Sequence, residues 1–425
     1  MYNVRNTVLE ILNKNARFWD QHLHLSNYST VQSEKNLITE IVNGIQRRKL
    51  TLQYLIKHYS HGKPQPAVYN CLLLGIYELL FLEKVPAYAV IHSCVEHSKK
   101  ISKKSAKYVN AVLRNIQRSV RKEQKKYSKN YLPISHEDGW YFSQALFPED
   151  KIRYLSVVYS YPEYLVDKWC RDFGEEQCIH LLLMGNTRPG VTVRVRNSFR
   201  CDELQMIDGK MAKVSGDVSL IPGYHEGDWV VQGLASSETI ELIEIAPRSL
   251  VLDLCAAPGG KSFHIADNMR GEGVVVSGDK SVERLRKMCE NKERLQLQNI
   301  QPIAMNSKKL PKNFAQHFDC VVVDAPCSNS AVFNKRVEAR WRFSVKNLQK
   351  LNKEQYKLLR SGATAVKPGG KLVYSTCSIE KEENENLIAE FLKEHDDFCC
   401  WKYKRMFPQL PFVDGGSVHI LCRKA

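Results

Sequence analysis

The first 130 residues carry apolar side chains at helical spacing, and no alternating strand pattern competes with that spacing. Three stretches share it: residues 37–45, 69–80 and 109–116. Pro64, Pro66 and Pro86 stand between these stretches, where helices are expected to break. The pattern predicts an all-α bundle over residues 1–130.

The pattern weakens in the middle of the chain. Residues 126–139 are polar and aperiodic, which is typical of a linker. Two amphipathic helices are predicted within residues 148–183, and residues 190–196 alternate as a strand does. Weaker strand patterns follow as far as Val231. We therefore expect a small α+β module over residues 140–235.

The strand predicted at residues 190–196 carries two arginines on one face, Arg194 and Arg196. Arginine and aromatic side chains on a small sheet are able to stack on or clamp single-stranded RNA. Alternation alone does not establish that role, and a purely structural bridge fits the same pattern. Both interpretations stay open at the level of the sequence.

From Ser249 onward, short apolar runs alternate with helical stretches, which is the βα pattern of a doubly wound parallel sheet. The runs are residues 250–254, 274–278, 300–304, 318–323 and 371–375. Residues 398–403 and 418–422 follow as two further strands around a Pro/Gly-rich loop, which favours an antiparallel hairpin. The sequence predicts a Rossmann-like domain over residues 236–425, with a mostly parallel, seven-stranded sheet.

The charge balance indicates the kind of partner. The chain has 62 Lys and Arg against 46 Asp and Glu, a net charge of +16. Such an excess favours a polyanion such as RNA, because phosphate contacts release counterions. Residues 99–130 are the densest basic segment, with twelve Lys or Arg and one acid, Glu123. The alternative is a solvated basic face without a ligand.

The thirteen cysteines do not indicate a disulfide scaffold. The chain is long, residues 1–12 lack the apolar run of a signal peptide, and no Cys-x-x-Cys pair occurs. A metal site is therefore not expected. No apolar run approaches the roughly 20 residues that span a bilayer, so no membrane partner is expected either. These features favour a reducing, cytoplasmic compartment.

The first βα junction reads DLCAAPGGK, residues 253–261. Gly259 and Gly260 let the backbone pass close to a ligand, and the following helix directs its N-terminal amides at the same place. Asp279 follows the second strand, where an acid is suited to a ribose diol. A glycine turn followed by an acid is a weak signal alone, since many nucleotide sites have one.

Two cysteines occupy similar positions, each shortly after a predicted strand of the parallel sheet. Cys327 follows the fourth of these strands in DAPCS, residues 324–328, and Cys377 follows the fifth in STCSIEKEENE, residues 375–385. Both should lie at the carboxyl edge of the sheet, where open α/β folds bind ligands. Taken alone, either position also fits an inert buried thiol. Cys255, Cys289 and Cys320, inside strand or helix patterns, are assigned that inert role.

The three motifs in this order resemble the RNA 5-methylcytosine methyltransferases of the Nol1/Nop2/Sun family, from about Val231 to the end. The N-terminal part is similar to the NusB-like RNA-binding domain of that family's bacterial ribosomal RNA subgroup, RsmB or Fmu. The matching N-terminal residues are Leu73, Gly75, Tyr77, Leu79, Leu80, Pro86 and residues 109–114. The resemblance covers nearly the whole chain.

The resemblance implies an S-adenosylmethionine-dependent methyltransferase that acts on cytosine carbon 5 in small-subunit 16S ribosomal RNA. In the family, the cysteine matching Cys377 attacks the base covalently and the one matching Cys327 assists product release. Asp324 is expected to steady ring nitrogen 3, and Lys261 to favour the thiolate. The expected cofactor residues are Cys255, Ala256, Ala257, Pro258, Gly259, Gly260, Lys261, Asp279, Asn306 and Asp324.

Other readings stay open. Cys327 is the alternative nucleophile, because DNA cytosine methylases attack with a Pro-Cys dipeptide. A non-catalytic RNA-binding or ribosome-assembly factor that retains the fold is the alternative function. An amino-group methylase is disfavoured because its Asn-Pro-Pro-Tyr signature is missing. We expect a monomer that acts on an unpaired or flipped cytosine.

Several positions depart from the family's pattern. Residues 328–331 replace an SGTG-like turn, residues 334–341 lose a His-Pro-Asp string, and residues 414–417 lack an aromatic pair. Asn306 replaces a usual acid near the adenine, where its amide still forms hydrogen bonds. For Glu382, Glu383 and Glu385 the alternatives are assistance in catalysis and support of the start of a helix, and the second is favoured.

Overall fold

The computed structural model describes residues 2–14, 19, 31–82, 85–124, 128–410 and 412–425. These residues form two compact units. Unit 1 contains the chain up to Thr187 and a later piece, Phe333–Arg342, which we call the returning segment. Unit 2 contains Arg188–Val332 and Phe343–Ala425. The domain boundaries predicted near residues 130, 140 and 235 stay a prediction from the sequence.

Unit 1 begins with the predicted helical bundle. Its helices are α1 (Tyr2–Lys14), α2 (Gln32–Arg47), α3 (Lys49–Tyr59), α4 (Pro66–Phe81), α5 (Ala87–Lys99) and α6 (Lys103–Ser119). The apolar stripes face inward as expected; Val109, Leu113 and Ile116 of α6 are fully buried. Gly75 lets α4 approach α6, because a Cβ there would lie 2.8 Å from a Leu113 methyl carbon.

The expectation that residues 1–130 are all helical, with a linker at 126–139, is wrong in part. Strands β1 (Val120–Gln124), β2 (Tyr131–Pro133) and β3 (Asp138–Phe142) form an antiparallel sheet in the order β1-β3-β2. Residues 125–127 lie outside the described part. The polar composition hid these strands because they are short and only partly covered.

Three helices, not the predicted two, follow: α7 (Lys151–Tyr159), α8 (Glu163–Phe173) and α9 (Glu175–Met184). The prediction missed the break between α8 and α9, which Gly174 makes with a positive φ of 82°. These helices pack within unit 1 and receive the returning segment.

Unit 2 opens with a four-stranded antiparallel sheet in the order β5-β6-β4-β7. Its strands are β4 (Val191–Val195), β5 (Gln205–Met206), β6 (Met211–Val214) and β7 (Trp229–Val231). Arg194 and Arg196 do share a face, and both bind the Asp267 carboxylate, with N–O distances of 2.7 and 2.8 Å. Since Asp267 lies in unit 2 itself, these ion pairs support the interpretation as a structural bridge.

The rest of unit 2 is the predicted α/β domain. Its strands are β8 (Leu250–Asp253), β9 (Val274–Asp279), β10 (Ile300–Ala304), β11 (Phe318–Asp324), β12 (Val366–Thr376), β13 (Phe398–Met406) and β14 (Gly416–Arg423). The helices from here on are α10 (Leu234–Glu241), α11 (Gly260–Asn268), α12 (Val282–Arg294), α13 (Ala339–Arg342, in the returning segment), α14 (Val345–Ala365) and α15 (Glu385–Glu394).

The seven strands lie in the order β10-β9-β8-β11-β12-β14-β13. Only β14 runs antiparallel, against both β12 and β13, so the predicted mostly parallel sheet and its closing hairpin are confirmed. Two apolar layers cover the sheet, one containing Phe263 and Met288 and the other Leu359 and Phe391. The sheet is therefore buried on both faces, and its carboxyl edge is left for a site.

Candidate active site

The pairing of β11 with β12 brings the two candidate cysteines together. These strands run parallel, with Asp324 opposite Ser375, so the loops that follow them leave the same edge side by side. The Sγ atoms of Cys327 and Cys377 lie 3.2 Å apart. Cys327 is buried, whereas Cys377 is partly exposed. Of the two thiols, Cys377 is therefore the one open to a ligand.

The environment of Cys327 favours its protonated form. The neighbouring Cys377 sulfur and burial both raise the pKa of the Cys327 thiol well above its ordinary value. Cys327 therefore keeps its proton and is able to donate it to the sulfur of Cys377. A buried, protonated thiol is a poor nucleophile, so this argues against the alternative in which Cys327 attacks.

Lys261 and Asp324 form an ion pair beside the thiols. Lys261 Nζ lies 2.7 Å from Asp324 Oδ2, and Ser375 donates a hydrogen bond to Asp324 Oδ1 at 2.9 Å. Burial opposes the Lys261 charge, but Asp324, with help from Cys377, outweighs it and raises the pKa of Lys261. The Asp324 side chain is 36% exposed. A fixed cation and an accessible carboxylate thus flank the sulfur of Cys377.

A buried polar knot, formed by Ser328, Ser330, Gln355, Ser378 and Glu383, joins the two cysteine loops. Glu383 accepts hydrogen bonds from the N–H of Ser328 at 2.8 Å, from Gln355 at 2.9 Å and from the hydroxyls of Ser328 and Ser378 at 2.5 Å each. Ser330 completes the knot at 3.1 Å from Ser378. Burial raises the pKa of Glu383, while these hydrogen bonds oppose that rise.

The knot corrects the assignment of Glu383 to a helix start. Its side chain is 0% exposed, and α15 begins two residues later, at Glu385. Sequence reasoning missed this role because a run of acids resembles a helix start, and its partners lie 28 and 55 positions away. Glu385 is the first residue of α15, as expected, and it also pairs with Arg405 of β13.

The glycine turn after β8 forms a cradle at the same edge. Gly259 has a φ of 114°, and a Cβ there would lie 2.2 Å from the Phe263 ring. A Cβ on Gly260 would meet nothing within 4 Å, so open space lies in front of α11, which has no side-chain cap. The arrangement fits a ligand that approaches the backbone and the first amides of the helix.

The other expected cofactor residues lie at the ends of neighbouring strands. Asp279 ends β9; it accepts from the N–H of Ser281 at 2.9 Å and pairs with Arg284 at 3.3 Å. Asn306 follows β10 and accepts from the N–H of Lys308 at 3.1 Å, which leaves its Nδ2 as the donating end. A carboxylate, an amide and a glycine turn together supply the hydrogen-bonding groups that a nucleoside such as S-adenosylmethionine requires.

Two groups next to the cradle, the buried Asp253 and the partly exposed Cys255, are unsuited to nucleophilic chemistry. Burial raises the pKa of Asp253 to about 6 and that of Cys255 to about 12. Asp253 accepts a hydrogen bond from Ser262 at 2.7 Å, which ties β8 to α11. Burial likewise raises the pKa of Cys320 to about 12. These observations agree with the inert role predicted for both cysteines.

The loops that depart from the family's pattern have distinct structural roles. Ser417 donates a hydrogen bond to the Ser378 carbonyl at 3.1 Å, so residues 414–417 support the Cys377 loop. Asn329, where the family has glycine, contacts the sulfur of Cys377 at 3.2 Å. Residues 334–341 belong to the returning segment of unit 1.

Among the described residues, no cluster of three or more His, Cys, Asp or Glu is arranged to hold a metal ion.

Comparison with known families matches two parts of this chain. Residues 241–410 match the family described as 16S rRNA methyltransferase RsmB/F, and residues 2–118 match the NusB family. A relative from Bacillus subtilis, described as a probable ribosomal RNA small subunit methyltransferase B, is 32% identical over 99% of this chain and 95% of the relative. One from Synechocystis, with the same description, is 29% identical over 95% and 91%.

Solved structures share the fold. One described as the crystal structure of PH0851 superimposes with a TM-score of 0.72 at 22% identity, covering 93% of this chain and 92% of the other. Another, NSun6 from Pyrococcus horikoshii solved with SFG, has a TM-score of 0.55 at 19% identity and covers 62% and 98%. In the described part of the chain, no helix has the length and apolar character needed to cross a membrane.

Proposed function

Because the chain belongs to the RsmB/F family of 16S ribosomal RNA methyltransferases, we propose that it methylates carbon 5 of a cytosine through a covalent bond from Cys377. It is an S-adenosylmethionine-dependent methyltransferase of ribosomal RNA. The observation that carries the proposal is the pair of thiols 3.2 Å apart, one buried and one open, at the carboxyl edge of a parallel sheet.

The chemistry of the base explains the need for a thiol. Carbon 5 of cytosine is a poor nucleophile, and addition of a thiolate to carbon 6 makes the ring an enamine whose carbon 5 is reactive. S-adenosylmethionine supplies a sulfonium methyl group when it is bound. Residues 255–261 with Asp279, Asn306 and Asp324 would hold it, and Cys377 would contact the base. The target cytosine must be unpaired or flipped to reach the sulfur.

Asp324 and Lys261 are assigned to managing charge on the ring. As Cys377 Sγ bonds to carbon 6, electron density moves toward ring nitrogen 3. We assign the steadying of this charge to the ion pair, in which Lys261 Nζ lies 2.7 Å from Asp324 Oδ2. Asp324 is the member within reach of a ligand, because its side chain is 36% exposed against 15% for Lys261. Lys261 keeps its positive charge at this edge, because Asp324 outweighs the effect of burial.

Cys327 is assigned to product release. After methyl transfer, carbon 5 loses its proton to solvent, that electron pair re-forms the carbon 5–carbon 6 double bond, and the carbon 6–sulfur bond breaks so that Cys377 leaves as a thiolate. The buried Cys327 thiol retains its proton 3.2 Å away and donates it to the departing sulfur. Without this proton the adduct should break down slowly. We further propose that the protein acts as a monomer in the cytoplasm.

The proposal is tested with Cys377→Ala and Cys327→Ala, and with Cys399→Ala as a matched control at an exposed cysteine. A 16S ribosomal RNA transcript is assayed for methyl transfer, for 5-methylcytosine by bisulfite sequencing, and for a protein–RNA adduct on denaturing gels. Loss of the nucleophile should reduce methylation at least about a thousandfold and abolish the adduct. Cys327→Ala should accumulate the adduct, and Cys399→Ala should behave as the wild type.

Other outcomes separate the alternatives. Methylation retained by Cys377→Ala would refute the nucleophile assignment, and an adduct that forms only in Cys377→Ala would reverse the two roles. A wild-type protein that binds the transcript but transfers no methyl group would instead support the non-catalytic assembly factor.

A further inference from the structure

Residue 329 has a backbone conformation that is unusual for a residue with a side chain. Asn329 lies two positions after Cys327 with a φ of 62°, in the left-handed region. Glycine adopts this conformation freely, and asparagine is one of the few other residues that tolerates it. Glycine would satisfy the backbone at this position, so the conformation alone does not account for the asparagine side chain.

Both ends of the Asn329 amide are engaged. Its Nδ2 donates to the carbonyl of Cys327 at 2.9 Å, and its Oδ1 accepts from Cys377 Sγ at 3.2 Å. Because a carbonyl oxygen only accepts, the first bond determines which end of the amide faces the thiol. The acceptor for Cys377 is thus locked in orientation by the backbone of the other cysteine.

The same turn also holds the main chain of Cys377. The N–H of Ala331 donates to the Cys377 carbonyl at 3.2 Å. The Cys377 sulfur, for its part, lies between two partners, Asn329 Oδ1 and Cys327 Sγ, each at 3.2 Å. One partner accepts the thiol proton and the other donates to the sulfur, so together they define where the sulfur sits.

We propose that Asn329 is a positioning residue that holds Cys377 Sγ where it attacks the base. This inference rests on the proposed function, since it concerns the nucleophile of that reaction. It assigns a role to a side chain at a position where the turn of the resembling family has glycine. The contact fixes a reacting atom, and a small displacement of such an atom reduces the rate strongly.

The test is Asn329→Gly in the full chain. Glycine adopts a φ of 62° without strain, so the turn is kept and only the amide contacts are lost. The matched control is Asn197→Gly, at an exposed residue with a φ of 49°. Loss of one hydrogen bond to the sulfur should lower kcat about fivefold to tenfold and leave KM for RNA and the melting temperature unchanged.

Alkylation of Cys377 by iodoacetamide gives a readout that a turn-forming role would not change. Its rate is followed by mass spectrometry on the tryptic peptide of residues 372–381, in which Cys377 is the only cysteine. In Asn329→Gly the rate should rise several-fold while kcat falls, because the thiol proton loses its acceptor and the sulfur gains room.

Asn329→Asp supplies the opposite change. Aspartate tolerates the same backbone conformation but places a carboxylate beside the sulfur, which disfavours the thiolate. It should slow both alkylation and methylation. Wild-type kcat and alkylation rates in either variant would refute the positioning role.

Alkylation reports on the sulfur whether or not Cys377 attacks RNA. Activity in Cys377→Ala, by contrast, would overturn the proposed function alone. The failures of the two proposals are therefore distinguishable.

Discussion

Burial and pairing give the titratable groups at the carboxyl edge of the sheet different protonation states. Cys327 and Glu383 are buried and their pKa values are raised, whereas Lys261 stays charged because Asp324 lies beside it. Cys327 thus holds a protonated thiol, and the Cys377 thiol lies near a cation. Such a site is suited to a reaction in which the Cys377 sulfur attacks and Cys327 returns a proton. At this scale, small changes of side chain should alter chemistry and pH dependence rather than the fold.

Asp253→Asn should remove a pH-dependent contribution to stability. Burial raises the pKa of Asp253 from its ordinary value of 3.8 to about 6. The folded state therefore keeps this proton where the unfolded chain has lost it, so the contribution is fully present below pH 3.8 and is lost as the pH rises through about 6. About two pKa units correspond to about 3 kcal/mol.

The measurement is the free energy of unfolding by urea between pH 4 and 7, followed for the transition of unit 2. The wild type should lose stability over that interval, while Asp253→Asn should lose up to about 3 kcal/mol less. Asp202→Asn, at an exposed carboxyl of the same unit, is the control and should follow the wild type. Parallel curves for the wild type and Asp253→Asn would contradict the raised pKa.

Among the elements, α6 combines two faces with separate roles. Ser102 caps the helix by accepting from the N–H of Ser105 at 3.0 Å. Its apolar stripe is buried in the bundle, and Lys103, Lys104 and Lys107 are exposed on the opposite side. The basic face is thus displayed by a well-anchored helix, as a contact with a phosphate backbone requires.

Charge reversal of Lys103, Lys104 and Lys107 to Glu should weaken RNA binding and its dependence on salt. Each lost phosphate contact reduces the slope of log affinity against log salt by about 0.7 to 0.9, so the slope should fall by about 2 to 3. The measurement is affinity for a 16S ribosomal RNA transcript over a range of salt concentrations.

Reversal of Arg286, Lys287 and Lys292 on α12 is the matched control, with the same change in net charge. Glu283, Glu290 and Glu293 alternate with these residues, so α12 offers no uniformly basic face. An equal effect of both sets on the slope would indicate a general effect of net charge, and an unchanged slope would remove α6 from the RNA interface.

On the scale of the whole molecule, the chain enters unit 1 twice. The returning segment is held there by Arg340, which is 0% exposed and lies 4.0 Å over the Tyr161 ring. Its guanidinium donates to the Gly185 carbonyl at 2.5 Å and to the Asn186 side chain at 2.8 Å, and burial lowers its pKa to about 10. A distant piece of sequence therefore completes the packing of unit 1.

Arg340→Met should destabilise unit 1. Methionine retains much of the volume but removes the donors, which leaves buried oxygens of Gly185 and Asn186 unsatisfied at a cost of about 2 to 4 kcal/mol. Hydrogen exchange measured by mass spectrometry should show faster exchange in α9 and in the returning segment. Arg336→Met, at an exposed arginine of the same segment, should change stability by no more than about 0.5 kcal/mol. Equal exchange in both variants would show that Arg340 is not the anchor.

Local pattern was sufficient for much of this protein. The bundle helices, the βα alternation, the seven-stranded sheet and the closing hairpin were predicted because each depends on the spacing of near neighbours. The break at Gly174 and the short strands at Val120–Gln124 and Asp138–Phe142 were missed because their signals are brief and polar. Composition and motif order likewise indicated RNA, a methyl donor and two cysteines before any contact was known.

What the sequence by itself determined is which elements form and which reactive side chains stand at their ends. Only the tertiary structure decided that Cys327 and Cys377, 50 positions apart, share one site, that Asn329 contacts the Cys377 sulfur, that Glu383 joins their loops, and that Arg194 pairs with Asp267. The physical reason is that periodicity is a property of neighbours in the chain. Pairing, burial and charge depend on strand register and close packing, which bring distant residues together.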